Sequence, residues 1–182
     1  MSILTDIGAR SKQAQKILAK AGSAAINKAL NAVADALEKE AAFIIAENKK
    51  DIDAGEANGL SKALIDRLSL NETRISGMAQ GLREVAASES PVGKVLWGEV
   101  RPNGLKIEKV AVPIGVIAVI FEARPNVTAD AAAICLKAGN SVILKGGKEA
   151  INSNKAVADV MRKAVAESGL PEDCIILVEN IS

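Results

Sequence analysis

Apolar positions in the first half of the chain recur every three or four residues, whereas those in the second half fall in short continuous runs. The spacing predicts a short helix over Thr5–Lys20, broken at Gly22, and then a longer one striped by Ile26, Leu30, Val33, Leu37, Ala41 and Ile44. Gly55 and Gly59 mark loops, and Ser61 is placed to cap a short helix carrying Leu64, Ile65 and Leu68. Ser69 and Glu72 have the S-x-x-E spacing of a capping box, opening a helix with Ile75, Met78, Leu82 and Val85 on one side. Residues 1–90 are thus expected to be a helical part.

After Pro91 the period changes. Val95–Val100 and Leu105–Val112 read as strands of a hairpin around the turn Arg101-Pro102-Asn103-Gly104. Ile114–Phe121 is a continuous β-branched run, which predicts a strand covered on both faces. Thr128–Lys137 reads as a helix, Ser141–Leu144 as a strand, and Ile151–Ser168 as a helix stopped at Gly169 with Pro171 beyond; Cys174–Val178 reads as a third strand. The order βαβαβ over residues 113–182 implies a parallel sheet with right-handed crossovers, half of a doubly wound, Rossmann-like nucleotide-binding fold. The predicted class is α/β: N-terminal helices, a projecting β-hairpin at 95–112, and the βαβαβ half-sheet.

Ligands of such sheets bind outside the carboxyl ends of the strands. Glu122, Arg124 and Asn126 follow the first strand there, and Lys145, Gly146, Gly147 and Lys148 follow the second, a set suited to phosphates and a polarised carbonyl. Neither G-x-G-x-x-G nor a Walker A loop is present. The glycine pair either admits a ligand close to the backbone or only turns the chain from strand to helix. Asn126, Thr128 or Asp130 caps the following helix, or else the Asn126 amide donates to a developing oxyanion. Arg124 holds a phosphate or carboxylate or is a solvated loop charge, and Lys145 and Lys148 carry the same two alternatives.

Composition narrows the chemistry. A hydrophobic share of 49% with 25% charged residues excludes a disordered chain. The aromatics are Phe43, Trp97 and Phe121 alone, so the core is aliphatic, as suits helices packed on a parallel sheet. A net charge of +1 gives no electrostatic case for nucleic acid or an anionic membrane. Without histidine, this chain alone builds no Ser-His-Asp triad, Cys-His pair or histidine-ligated metal site. Cys135 falls on the apolar face of a predicted helix and Cys174 opens a buried strand, so both read as core residues rather than nucleophiles. The longest uncharged apolar stretch, Ala111–Phe121, is too short to span a bilayer. Asp6 precedes any long apolar run, so no secretory signal is read, and a cytoplasmic location is expected.

The segments AENKKD, LIDRLSL, GLREVAA, PVGKV, RPNGLKIEKVAVPIGVIAVIFEARPNVTADAAAICLKAGNSVILKGGKEA and SGLPEDCIILVEN resemble the N-terminal part of the gamma-glutamyl phosphate reductases, a branch of the aldehyde dehydrogenase superfamily. The resemblance runs over nearly the whole chain, and EARPNVT with CLKAGNSVIL carries it most specifically. It implies NADPH-dependent reduction of L-glutamyl 5-phosphate to L-glutamate 5-semialdehyde in proline biosynthesis. It further implies that Asn126 helps form the oxyanion hole, that Ala123, Arg124 and Pro125 lie beside the nicotinamide end of NADP, and that Lys145 touches the adenosine ribose. Lys145 stands where many members of this branch carry arginine. Lys148 falls where NAD-preferring members often carry a glutamate, which implies a preference for NADP. Residues 1–182 then correspond to an incomplete NADP-binding domain, with 95–112 matching oligomerisation strands and implying a homo-oligomer or a missing C-terminal half as partner. The family's cysteine nucleophile and its glycine-rich segment are expected beyond Ser182, so that the isolated chain would be inactive. A non-catalytic nucleotide-binding or assembly module is the alternative reading.

Overall fold

The computed structural model describes residues 3–179; residues 1–2 and 180–182, the two ends of the expected 1–182 unit, lie outside the described residues. Five helices come first: α1 (Ile3–Leu18), α2 (Gly22–Lys39), α3 (Ala41–Ala57), α4 (Lys62–Leu68) and α5 (Glu72–Ala87). A hairpin of β1 (Val95–Val100) and β2 (Lys106–Val110) follows, and then β3 (Val116–Ile120), α6 (Asn126–Lys137), β4 (Ser141–Lys145), α7 (Ile151–Glu167) and β5 (Ile175–Leu177). Short 3₁₀ turns occupy Lys148–Ala150 and Glu172–Cys174. Cys174 is therefore the last residue of a turn, buried ahead of the strand that it was expected to open.

The sheet is parallel with strand order β3-β4-β5. Right-handed crossovers in that order put α6 and α7 on the same face. Val142 and Leu144 of β4, fully buried, stand level with Ile117 and Val119 of β3, which pack on the same core. The other face receives α1, where the Ser11 and Ser141 hydroxyls lie 2.9 Å apart. Helices α2, α3 and α5 make a further layer over α6 and α7, and buried Lys137 ties it in by donating to the Ala86 carbonyl and to Asn27 Oδ1, each at 2.8 Å.

Several expectations are corrected by this packing. β3 is not covered on both faces: it is an edge strand, α1 does not cover all of the second face, and Ile120 is 82% exposed. The long helix predicted from Ile26 to Ile44 is two helices, broken at Glu40 (φ −94°, ψ 16°) with neither glycine nor proline at the break. Gly55 is not in a loop but buried within α3, where a Cβ would meet Leu60 Cδ1 at 2.9 Å and Ile65 Cδ1 at 3.0 Å. The capping box at Ser69 and Glu72 does not form. Asn71 caps α5 instead, its Oδ1 accepting from Arg74 N at 2.8 Å, while the Ser69 hydroxyl donates back to the Ile65 carbonyl. The hairpin is as expected but shorter in its second strand, and it stands out from the core, with Val95, Leu96, Trp97 and Val100 all exposed. Among the described residues, no helix is long and apolar enough to cross a membrane.

Candidate functional site

β3 and β4 end side by side, so the loops that follow them meet. Phe121 N donates to the Lys145 carbonyl at 3.0 Å, continuing the strand pairing one residue further. Gly147 then lies against the other loop: a Cβ there would come within 3.3 Å of Ala123 N and 3.4 Å of the Glu122 carbonyl carbon. Gly146 faces α7, where a Cβ would meet Asn154 Nδ2 at 2.1 Å. Neither glycine takes a positive φ. The residue type is thus required by close approach of the protein to itself, not by the hand of a turn.

The N-terminus of α7, just past this turn, is already engaged by an anion. Ala150 at its start supplies no side-chain cap. The buried Asp51 carboxylate arrives from α3 and accepts from Ser153 N at 2.7 Å, Ser153 Oγ at 2.5 Å and Asn152 Nδ2 at 2.7 Å. A carboxylate on the first N–H groups of a helix satisfies orphan donors and complements the helix dipole. Asn48, one turn earlier on α3, donates to Ser153 Oγ and to the Leu68 carbonyl and accepts from Leu70 N at 2.7 Å, fixing α4 to the same point.

Asn126 is the first residue of α6, with Pro125 at the cap position (φ −59°) and no side-chain cap bond. Capping by Asn126, Thr128 or Asp130 is therefore not what the structure shows. Thr128 is buried and donates to Asn154 Oδ1 at 3.0 Å, joining α6 to α7. Asn126 Nδ2 donates to Asp130 Oδ2 at 3.0 Å, one helical turn on. A primary amide carries two N–H donors, so this bond orients the group and leaves one hydrogen for another acceptor. Burial pushes the Asp130 carboxyl above its ordinary value, and the bond from Asn126 works in the opposite direction.

Asn126, Asp130 and Arg124 line a cavity of about 410 Å³ that is also lined by residues of α4 and α5, among them Asp66, Arg67 and Arg74. Arg74 braces the α4–α5 junction: it donates to the carbonyls of Asp66 and Ser69 and pairs with the Asp66 carboxylate at 2.8 Å. Sequence reasoning missed Arg67, Arg74 and Asp51 as parts of this region. LIDRLSL entered only as one segment of the resemblance, and no spacing marks Arg67, an exposed position of a seven-residue helix.

The two groups of expected residues thus occupy two adjoining places. Arg124 and Asn126 line the cavity, whereas Lys145, Gly146, Gly147 and Lys148 form the turn at the end of β4, with Ala123 against it and Lys148 exposed. Cys135 and Cys174 are buried, and burial raises both thiols, that of Cys174 to about 12. Burial and the raised thiols both disfavour the thiolate that a nucleophile needs.

A three-stranded parallel sheet flanked by helices on both faces, with Asn126 and the Lys145–Lys148 turn at its strand ends, defines an α/β nucleotide-binding type of fold. The aldehyde dehydrogenase family model matches residues 5–181, and the chain belongs to that family. It is 56% identical over 173 residues to the gamma-glutamyl phosphate reductase of Rhodospirillum rubrum, covering 95% of this chain and 40% of that protein. It is 50% identical over 177 residues to the one from Syntrophomonas wolfei, covering 97% of this chain and 42% of that protein. The crystal structure of gamma-glutamyl phosphate reductase from Thermotoga maritima superposes with a TM-score of 0.97 at 36% identity, covering 100% of this chain and 44% of the other. A Listeria monocytogenes protein described as a probable aldehyde dehydrogenase shares the fold at 18% identity with a TM-score of 0.73. The chain spans less than half the length of each of these relatives.

Proposed function

We propose that the protein carrying this chain reduces L-glutamyl 5-phosphate to L-glutamate 5-semialdehyde and phosphate with NADPH, a step of proline biosynthesis. The observation that carries this reading is 56% identity over 95% of the chain to a gamma-glutamyl phosphate reductase. The chemistry at Asn126 agrees with it. In such a reaction a thiolate adds to the acyl carbon and inorganic phosphate leaves, giving a thioester; hydride then adds to the thioester carbon and the thiolate leaves, giving the aldehyde, and both additions move charge onto the same carbonyl oxygen. The free N–H of the Asn126 amide, held by Asp130, would receive that charge. The attacking cysteine is proposed to come from the part of the relatives that this chain does not span, since Cys135 and Cys174 are buried in the core. A polypeptide of these 182 residues alone is accordingly proposed to be inactive.

NADPH, when bound, supplies the hydride. The turn at the end of β4 fits such a group in character through Lys145 and Lys148, which present donors to ribose or phosphate, while Gly146 and Gly147 let the turn pack closely on Asn154 and Ala123. The helix N-terminus beside it is not free, because Asp51 occupies it, so lysine donors rather than the α7 N–H groups would meet phosphate. We further propose that residues 1–182 are part of an NADP-binding domain, that the 95–112 hairpin mediates homo-oligomer assembly, and that the protein is cytoplasmic. The test is turnover of glutamyl phosphate, or phosphate-dependent oxidation of glutamate 5-semialdehyde, by the full-length protein, followed through NADPH absorbance. No turnover with either nicotinamide cofactor overturns the reading.

A further inference from the structure

The chain has seven arginines. Arg10, Arg74, Arg83, Arg101 and Arg162 each pair with a carboxylate. Arg67 and Arg124 pair with none among the described residues, and both line the cavity in front of Asn126. They come from different elements, one from α4 and one from the loop after β3. We infer that Arg67 and Arg124 form a phosphate subsite in this cavity, which holds the phosphate of the acyl phosphate while Asn126 addresses the carbonyl oxygen. The inference rests on the proposed function for the identity of the substrate.

Charge accounting within the cavity favours an anion. Arg74 and Asp66 neutralise each other at 2.8 Å. Asp130 is the other carboxylate lining the cavity, and it faces the Asn126 amide at 3.0 Å. Two guanidinium groups are left against that one engaged carboxylate. Guanidinium donors arranged as forks match phosphate oxygens bidentately, which a lysine ammonium does not. The α4 part of the lining is stiff, because Arg74 ties Asp66 and Ser69 together at the α4–α5 junction and Asn48 ties Leu68 and Leu70 to α7 through Ser153. A volume of about 410 Å³ accommodates a small amino-acid acyl phosphate.

A phosphate held here could belong to the acyl phosphate or to the nicotinamide dinucleotide, and the experiment separates them. Orthophosphate and NADP⁺ are titrated calorimetrically into the full-length protein and into its Arg67→Gln, Arg124→Gln and Arg124→Lys variants, with Arg101→Gln as a control outside the cavity. Circular dichroism verifies that each variant is folded. Orthophosphate affinity is expected to fall by about tenfold or more in each glutamine variant, as loss of a charge-assisted bond predicts, with partial recovery in Arg124→Lys and no change in NADP⁺ affinity. Unchanged orthophosphate affinity in the variants, absence of orthophosphate binding by the parent protein, or a loss confined to NADP⁺ overturns the subsite. Orthophosphate binding that depends on both arginines in a protein that never turns over glutamyl phosphate leaves the subsite standing and removes the proposed function. Turnover with an unaltered KM for phosphate in the reverse direction does the opposite.

Discussion

Asn126 and Asp130 stand one turn apart on α6, and the amide nitrogen of the first donates to the carboxylate of the second at 3.0 Å. This pair decides how the amide can serve an oxyanion, because the carboxylate fixes one N–H and thereby aims the other. In full-length protein, Asn126→Ala is expected to lower kcat by about 10²–10³, equivalent to roughly 3 kcal/mol of lost transition-state stabilisation, with little change in KM for NADPH. Steady-state kinetics checks this. Unaltered kcat would return Asn126 to an ordinary place in the first turn of a helix.

Asp130 also makes a pH-dependent contribution. Burial raises its carboxyl pKa in the folded protein. A carboxyl that is harder to ionise when folded favours folding while protonated, and that advantage is lost as the pH rises through its folded pKa. Asp130→Asn is therefore expected to be more stable than the parent above that pKa and equal to it at acid pH below the ordinary carboxylate range. Melting temperatures across that pH range provide the check, and a variant uniformly less stable at every pH would contradict it.

Gly146 is held by Asn154, not by its own backbone angles. A Cβ at Gly146 falls 2.1 Å from Asn154 Nδ2, an atom that is buried and has no hydrogen-bond partner among the described residues. Gly146→Ala is expected to destabilise the fold by about 1–3 kcal/mol through overpacking. Combining it with Asn154→Ala should recover part of that loss, since the two changes share one contact. Denaturant midpoints of the four proteins give the coupling, and strict additivity would show that the clash is relieved elsewhere.

Lys148 opens the 3₁₀ turn after the glycines and is exposed. A lysine at this turn attracts a ribose 2′-phosphate and a glutamate repels one. Lys148→Glu is expected to shift the ratio of NADP to NAD dissociation constants toward NAD by roughly ten- to hundredfold. Titration of both cofactors decides it; a ratio that stays put would assign the choice to other residues, Glu149 beside it included.

Exposed apolar strand edges predict association. β3 is an edge strand with Ile120 82% exposed, Ile114 ahead of it is 84% exposed, and the hairpin carries Trp97 and Val100 in the open. Such edges are templates for pairing with another chain. Light scattering of the 182-residue chain is expected to report dimers or larger species, and a monodisperse monomer at high concentration would count against it.

Local pattern was enough for most elements, because helical and strand periodicities are written by neighbours a few residues apart. The stripe Ile75, Met78, Leu82 gave α5, the β-branched run gave β3, and Gly169 with Pro171 ended α7. The break at Glu40 escaped because the apolar stripe passes through it unchanged, and the capping box failed because Asn71, nearer the helix, won the cap.

By itself, then, the sequence determined the order of elements apart from the α2–α3 break, the parallel βαβαβ path and the placing of Arg124, Asn126 and the Lys145–Lys148 turn at strand ends, since each follows from local periodicity and chain direction. Tertiary structure alone decided what these residues meet. Asp51 reaches the α7 N-terminus from 101 positions away along the chain, and Arg67 and Arg124 line one cavity although they stand 57 positions apart. No local spacing encodes such meetings, because they arise only when helices of different layers pack and bring together side chains whose positions in the chain are unrelated.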